Sequence, residues 1–258
     1  MNPLVGTKAR PKLKKILEPF GRFGDRIGLT PNKITLIGFS VSWLTGILMV
    51  LSQLLTNLYR TIEIVPGFKY ITSQDLRILL LTFVLISFFL SGFFDVWDGA
   101  VARYQGMVTK FGGFLDSLLD RYSDAIYIFS MIFAGYCDIY VGITAAIGSL
   151  LVSYTRARAE AGGLETKHTA IGIAERSERI IILLVAIFIY GTSLFFDPNA
   201  FPDQRWSPIG WAMIILAIIT QITVIQRTIS AYVHYPKNKI PINNNSNSET
   251  KPITEEKE

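Results

Sequence analysis

The 258-residue sequence holds a single cysteine, Cys137, and two histidines, His168 and His234. One cysteine forms no intrachain disulfide, which excludes a disulfide-stapled scaffold. Lying in an apolar stretch, Cys137 is expected to pack in the core. Charge is scarce too. Only 17% of the residues are charged while 50% are hydrophobic, whereas a soluble domain carries about a quarter charged. That balance excludes a disordered chain and a basic nucleic-acid-binding domain. The first 33 residues carry eight Lys or Arg and no apolar h-region, so no signal peptide is expected. No internal repeat is found.

What the sequence does have is long uncharged runs. A helix needs about 20 largely apolar residues to cross a bilayer. Six stretches approach this: 34–55, 76–94, 111–136, 139–155, 180–196 and 208–226. The third is acidic in its first half, and the fourth is short. The expectation is an all-α integral membrane bundle of six transmembrane helices. Basic residues predict its orientation. With both ends on one side, that side receives 21 of the 25 Lys and Arg, leaving Arg60, Lys69, Arg77 and Arg205 opposite. Both termini are therefore expected in the cytoplasm, in a multi-pass protein of the plasma membrane. The net charge of +5 suits contact with anionic lipid. Over 8–28, Leu13, Ile16, Leu17, Phe20 and Phe23 share one helical face among basic residues, the pattern of an interfacial amphipathic helix. A basic flank that only sets orientation would read similarly. The expected organisation is a cytoplasmic segment with this helix over 1–33, a six-helix membrane domain over 34–235, and a polar, low-complexity, disordered cytoplasmic tail over 236–258.

The chemistry-bearing stretch is 95–124, where acids stand at span ends. Asp95 and Asp98 are three residues apart and Asp116 and Asp120 four, so each pair lies on one helical face. A short turn near 104–110 joins the two helices, and antiparallel neighbours would bring the four carboxylates to one depth. Four anions near a low-dielectric interior repel one another, and a divalent cation relieves that conflict. Hard carboxylate oxygens suit Mg²⁺, Mn²⁺ or Ca²⁺, and without Cys or His nearby they do not suit zinc. Two ions sharing these ligands could hold both the attacking and the leaving oxygens of a phosphoryl displacement. Gly99, Ala102, Gly112 and Gly113 leave room for a nucleotide or pyrophosphate, although small residues also serve plain helix packing. Arg103 stands at the mouth, where a guanidinium can bind phosphate through two nitrogens. Farther on, Arg156, Arg158, Lys167, Arg176 and Arg179 gather at the inner ends of two spans. They read either as positive-inside bias partnered by Glu160, Glu175 and Glu178, or as an anion pocket facing the acids. His168 and His234 are expected to take no catalytic part.

Asp95, Asp98-Gly99, Ala102-Arg103, Gly112, Asp116 and Asp120 resemble, at every fixed position and gap, the pattern D-x2-D-G-x2-A-R-x8-G-x3-D-x3-D of the CDP-alcohol phosphotransferase family. The resemblance implies a six-helix, homodimeric membrane enzyme. Such an enzyme cleaves the pyrophosphate of a CDP-linked lipid or alcohol, joins the phosphoryl-bearing half to an alcohol and releases CMP. Asp95, Asp98 and Asp116 would be ligands for two Mg²⁺ or Mn²⁺ ions, and Asp120 both ligand and general base. Gly99, Arg103 and Thr109 would contact the CDP part. So would Thr30, Pro31, Asn32 and Lys33, which are similar to the family's TPN/TPD turn; alone, this is only a helix-start signal.

The blocks SYTRARAEAGGL (153–164) and ERSER (175–179) resemble the inositol-phosphate-using branch, the phosphatidylinositol-phosphate and archaetidylinositol-phosphate synthases. The three basic residues with which that branch reads the acceptor's phosphate fall on Arg156, Arg179 and Arg227. Some members carry Lys where Arg156 stands, which keeps the charge and changes the geometry. The implied reaction joins CDP-diacylglycerol or CDP-archaeol to myo-inositol phosphate. Glycerol-3-phosphate also needs an anion pocket and stays open as acceptor. Outside the family, intramembrane acids suit a proton or cation transporter, and a non-catalytic scaffold would tolerate substitution at Asp116 and Asp120. No nucleic-acid partner is expected.

Overall fold

The computed structural model describes residues 9–62, 72–197 and 199–235, and the described residues contain helices and turns but no strand. Among the described residues eight α-helices follow one another: α1 (Ala9–Arg26), α2 (Pro31–Ile62), α3 (Ser73–Gln105), α4 (Lys110–Phe133), α5 (Ile139–Ala161), the short α6 (Thr166–Thr169), α7 (Arg176–Phe196) and α8 (Pro208–His234). Their ends follow local chemistry. Thr72 caps α3 in a capping box with Asp75, and Asp138 caps α5. Ser207 caps α8 with Pro208 in its first turn, where the missing amide hydrogen of proline costs nothing.

Among the described residues, five helices are long and apolar enough to cross a membrane: α2 through Tyr59, α3, α5, α7 and α8. The sixth expected span, α4, has 24 residues. It meets the length but not the composition, because Asp116, Asp120, Arg121 and Asp124 occupy its middle turns. The spanning helices also overrun the apolar stretches that predict them. At 33 residues, α3 is about 50 Å long against a hydrocarbon core of about 30 Å. The overhang carries Asp95, Asp98 and Arg103.

α2 packs against α3 and α4, α5 against α4 and α8, α7 against α3 and α8, and α1 against α3. Where α2 meets its neighbours the contact is small or polar. A Cβ on Gly38 would come within 2.9 Å of Phe94, and one on Gly46 within 2.6 Å of Ile126. The Tyr127 hydroxyl hydrogen-bonds with Ser42 at 2.9 Å and with Ser91 at 2.8 Å. Lipid offers little hydrophobic drive between helices, so close backbone approach and interhelical hydrogen bonds supply it. Leu81, Val84, Phe88, Met131, Ile187, Met213 and Leu216 fill the core, and Cys137 is buried beside them. Trp43, Ile47, Phe83, Phe89, Phe188 and Ile225 lie about half exposed on the outer faces, a surface suited to acyl chains.

The expected amphipathic helix is α1, and it is docked. The Trp97 indole donates to the Phe20 carbonyl at 2.8 Å, and Phe23 stacks on Trp97 with centroids 5.9 Å apart. Gln105 donates to Asp25 and to the Leu29 carbonyl, each at 3.1 Å. Phe20 and Phe23 stay exposed at their outer edges. The side chains of Leu13 and Ile16, and the tail at 236–258, lie outside the described residues.

Candidate active site

The turn between α3 and α4 sets the acids facing one another. Gly106 ends α3 at φ +67°, a left-handed cap that favours glycine. Thr109 opens α4, its hydroxyl accepting the Gly112 amide at 2.9 Å. The chain therefore reverses within four residues, and one carboxylate oxygen each from Asp95, Asp116 and Asp120 lies within 4.8 Å of the other two. Asp98 stands slightly apart. It is buried and accepts the Thr35 hydroxyl of α2 at 2.6 Å. With Asp95 and Asp120 it lines a cavity of about 20 Å³. The helices bearing the acids meet chiefly across α2, which packs on both, rather than along their own lengths.

These residues fit a hard divalent cation. Their donors are carboxylate oxygens without nitrogen or sulfur. The Asp116 Oδ1 atom is buried and has no hydrogen-bond donor, a costly arrangement for an anionic oxygen unless a cation faces it.

The residues expected at the nucleotide end also come together. A Cβ on Gly112 would stand 3.0 Å from Thr109 Oγ1 and 3.3 Å from Asn32 Oδ1, so the turn of Thr30, Pro31, Asn32 and Lys33 abuts the glycine pair of α4. A Cβ on Gly99 would stand 3.2 Å from the Arg103 guanidinium, which folds back over the bare helix there. Lys33 and Arg103 are exposed. Thr109 is occupied as a helix cap.

Beside the aspartates opens a cavity of about 430 Å³, lined among others by Asp120, Arg156, Arg179 and Arg227. All three arginines expected to read an acceptor's phosphate thus share one wall. They are not equally free. Arg156 bonds to Glu160 at 3.1 Å and lies 3.9 Å from Glu175. Arg227 donates to the Ile171 carbonyl at 2.8 Å and to the Val152 carbonyl, and lies 3.7 Å from Glu175. It braces the connection between α5 and α7. Arg179 is buried and donates to Asp124 and to the Ala174 carbonyl.

Two residues given no role by the motif stand at the centre. Arg176 contacts Asp95 and Asp120 at 2.9 Å each, and its Nε lies 3.7 Å from Asp124. It belongs to the ERSER block, but nothing local in that block says where its guanidinium points. Asp124 carried a readable signal: it follows Asp120 by four residues and so extends the same face.

The CDP-alcohol phosphatidyltransferase family model matches residues 28–235. An archaetidylinositol phosphate synthase of Pyrococcus horikoshii is 38% identical, over 87% of this chain and 95% of its own. One from Methanothermobacter thermautotrophicus is 37% identical, over 89% and 95%. A phosphatidylinositol phosphate synthase of Streptomyces avermitilis is 32% identical, over 88% and 82%. Among solved structures, the Mycobacterium tuberculosis phosphatidylinositol phosphate synthase in complex with manganese and citrate is 26% identical with a TM-score of 0.62, covering 84% of this chain and 88% of that one. The same enzyme with CDP-DAG bound shares the fold at a TM-score of 0.64 and 24% identity, over 88% of this chain and 100% of that one. An acid cluster fit for a divalent ion, a cationic cavity beside it and a family match across most of the chain agree: this protein belongs to the CDP-alcohol phosphatidyltransferase family, membrane enzymes that transfer substituted phosphate groups.

Proposed function

We propose that this chain transfers the phosphatidyl-type group of a CDP-linked lipid to myo-inositol phosphate, releasing CMP and forming a lipid-linked inositol phosphate. The observation that carries this reading is the cavity of about 430 Å³, which joins Asp120 to Arg156, Arg179 and Arg227. A wall with several guanidiniums recognises an acceptor that bears its own phosphate. An uncharged or zwitterionic alcohol such as serine would leave those cations unused. The relatives named as inositol phosphate synthases support the same acceptor class.

The nucleotide lies across the turn of Thr30, Pro31, Asn32 and Lys33, against Gly99 and the first turn of α4 at Thr109, with Arg103 reaching its phosphates. Asp95, Asp98, Asp116 and Asp120 hold the metal, Mg²⁺ or Mn²⁺ and two ions by the number of carboxylates. When bound, the metal would neutralise the pyrophosphate and make CMP a better leaving group. The acceptor enters the arginine-lined cavity, and Arg156 and Arg179 grip its phosphate. Asp120 takes the proton of the attacking hydroxyl. The freed oxygen bonds to the lipid-side phosphorus, the bond from that phosphorus to the CMP oxygen breaks, and CMP leaves with the electron pair. We place both termini and this site at the cytoplasmic face of the plasma membrane, from the bias of basic residues, and take the working form to be a homodimer.

The test is CMP release by purified protein from CDP-diacylglycerol or CDP-archaeol, with myo-inositol phosphate or glycerol-3-phosphate offered separately. Release dependent on myo-inositol phosphate is expected. Release with glycerol-3-phosphate instead would refute the acceptor assignment. Ion flux in proteoliposomes without any CMP release would favour a transporter.

A further inference from the structure

We propose that Asp124 is a positioning residue that holds the acceptor pocket at a set distance from Asp120, and thereby selects which hydroxyl of a phosphorylated polyol is deprotonated. The second half of this statement rests on the function proposed above. Asp124 lies outside the motif and outside the group of three acids that could share an ion. It is buried at 8% exposure. Its two oxygens serve two cations: Oδ2 accepts from Arg179, and Oδ1 faces Arg176 Nε at 3.7 Å. A buried carboxylate is expensive unless paired, and here one acid is paired twice.

The consequence is geometric. Arg179 is fixed through both terminal nitrogens, by Asp124 and by the Ala174 carbonyl at 2.7 Å, in the wall of the cavity it lines. Arg176 returns to Asp120 at 2.9 Å. Asp120, Arg176 and Asp124 thus form a closed bridge between α4 and the first turn of α7. These two helices pack mainly on other partners, α4 on α2 and α5, α7 on α3 and α8. Without the bridge, the base and the phosphate grip would ride on elements joined only through their neighbours. With it, the spacing is set by the four residues of α4 from Asp120 to Asp124, about 6 Å of rise. An acceptor whose phosphate rests on Arg179 then presents only hydroxyls at one reach to Asp120.

The Asp124→Asn variant keeps the shape and removes the charge. Its affinity for inorganic phosphate, titrated calorimetrically on the purified, detergent-solubilised protein, is expected to fall about ten- to a hundredfold, as for outer partners that orient a binding group. The KM for the phosphorylated acceptor should rise in step, while the KM for CDP-lipid stays unchanged. An unchanged phosphate affinity, or an equal rise in both KM values, overturns the proposal. The phosphate titration requires no turnover, so it tests the pocket even if the acceptor assay refutes the proposed reaction. Should Asp124→Asn not fold, Asp124→Glu decides. It keeps the charge and lengthens the arm, so phosphate binding should persist while kcat falls and the ratio of lipid-linked regioisomers, read by phosphorus–proton NMR, shifts. A wild-type kcat together with a wild-type product ratio overturns it.

Discussion

In the proposed reaction Asp120 is both a member of the acid cluster and the acceptor of a proton, and its neighbours allow both. One oxygen meets Arg176 at 2.9 Å, and its side chain is 24% exposed, open to the cavity on its far side. Asp120→Asn preserves size and removes the base. CMP release should fall by about 10² to 10⁴, the usual worth of general-base help, while size-exclusion profiles stay those of a folded protein. Near wild-type turnover in this variant would mean that another group takes the proton. At this scale the four motif aspartates were legible, because spacings of three and four residues place side chains on one helical face whatever the rest of the chain does. Thr35 was not legible as the partner of Asp98. The two are 63 residues apart, and no local pattern says which hydroxyl of α2 will meet which acid of α3.

At the scale of elements, the two ends of α3 should respond differently to substitution. Thr72→Ala removes a capping box at the end far from the site and should cost about 1 kcal/mol, seen as a lower melting temperature with an unchanged turnover number. Gly106→Ala forces a side chain into the left-handed conformation and should cost about 1–2 kcal/mol. Because Gly106 sets the reversal that brings Asp95 opposite Asp116 and Asp120, turnover should fall as well. The connection between α5 and α7 is expected to respond to pH. The rings of His168 and His234 stack with centroids 3.8 Å apart, and Ser230 bonds to the His168 carbonyl at 2.8 Å. Desolvation and then the neighbouring His234 lower the pKa of His168 below its ordinary value. The folded form therefore prefers the neutral ring. Its contribution is complete above the ordinary histidine pKa of about 6.5 and is lost as pH falls through the lower folded value. Amide exchange over 164–175, corrected for its intrinsic pH dependence, should be faster near pH 5 than near pH 7. Equal corrected rates would leave the stack without energetic weight.

At the scale of the whole molecule, the apolar outer faces, the overlong α3 and the polar seam of α2 place a charged site at one end of a lipid-facing bundle. A divalent ion held by Asp95, Asp116 and Asp120 would be a structural partner as well as a chemical one. Chelation of divalent metal should abolish CMP release. Returning Mn²⁺ at about a hundred times its dissociation constant should stabilise the fold by about 2.7 kcal/mol, read as a rise in melting temperature that Asp116→Asn reduces. No thermal response to Mn²⁺ would argue against a metal-binding role for the cluster.

The sequence by itself determined the class of this protein. Uncharged runs of bilayer length leave few alternatives to helices, and acids at helical spacing beside small residues make a face fit for a cation, since both properties depend only on neighbours along the chain. The basic blocks at 153–164 and 175–179 were legible as charge. Their meaning was not, because positive-inside bias and an anion pocket look alike in one dimension. Only the tertiary structure decides where those charges go, by bringing α5, α7 and α8 around one cavity. It spends Arg227 on backbone carbonyls, aims Arg176 into the aspartates and ties Arg179 to Asp124. Which cation meets which anion depends on how distant helices pack, and a charge in sequence carries no direction until that packing gives it one.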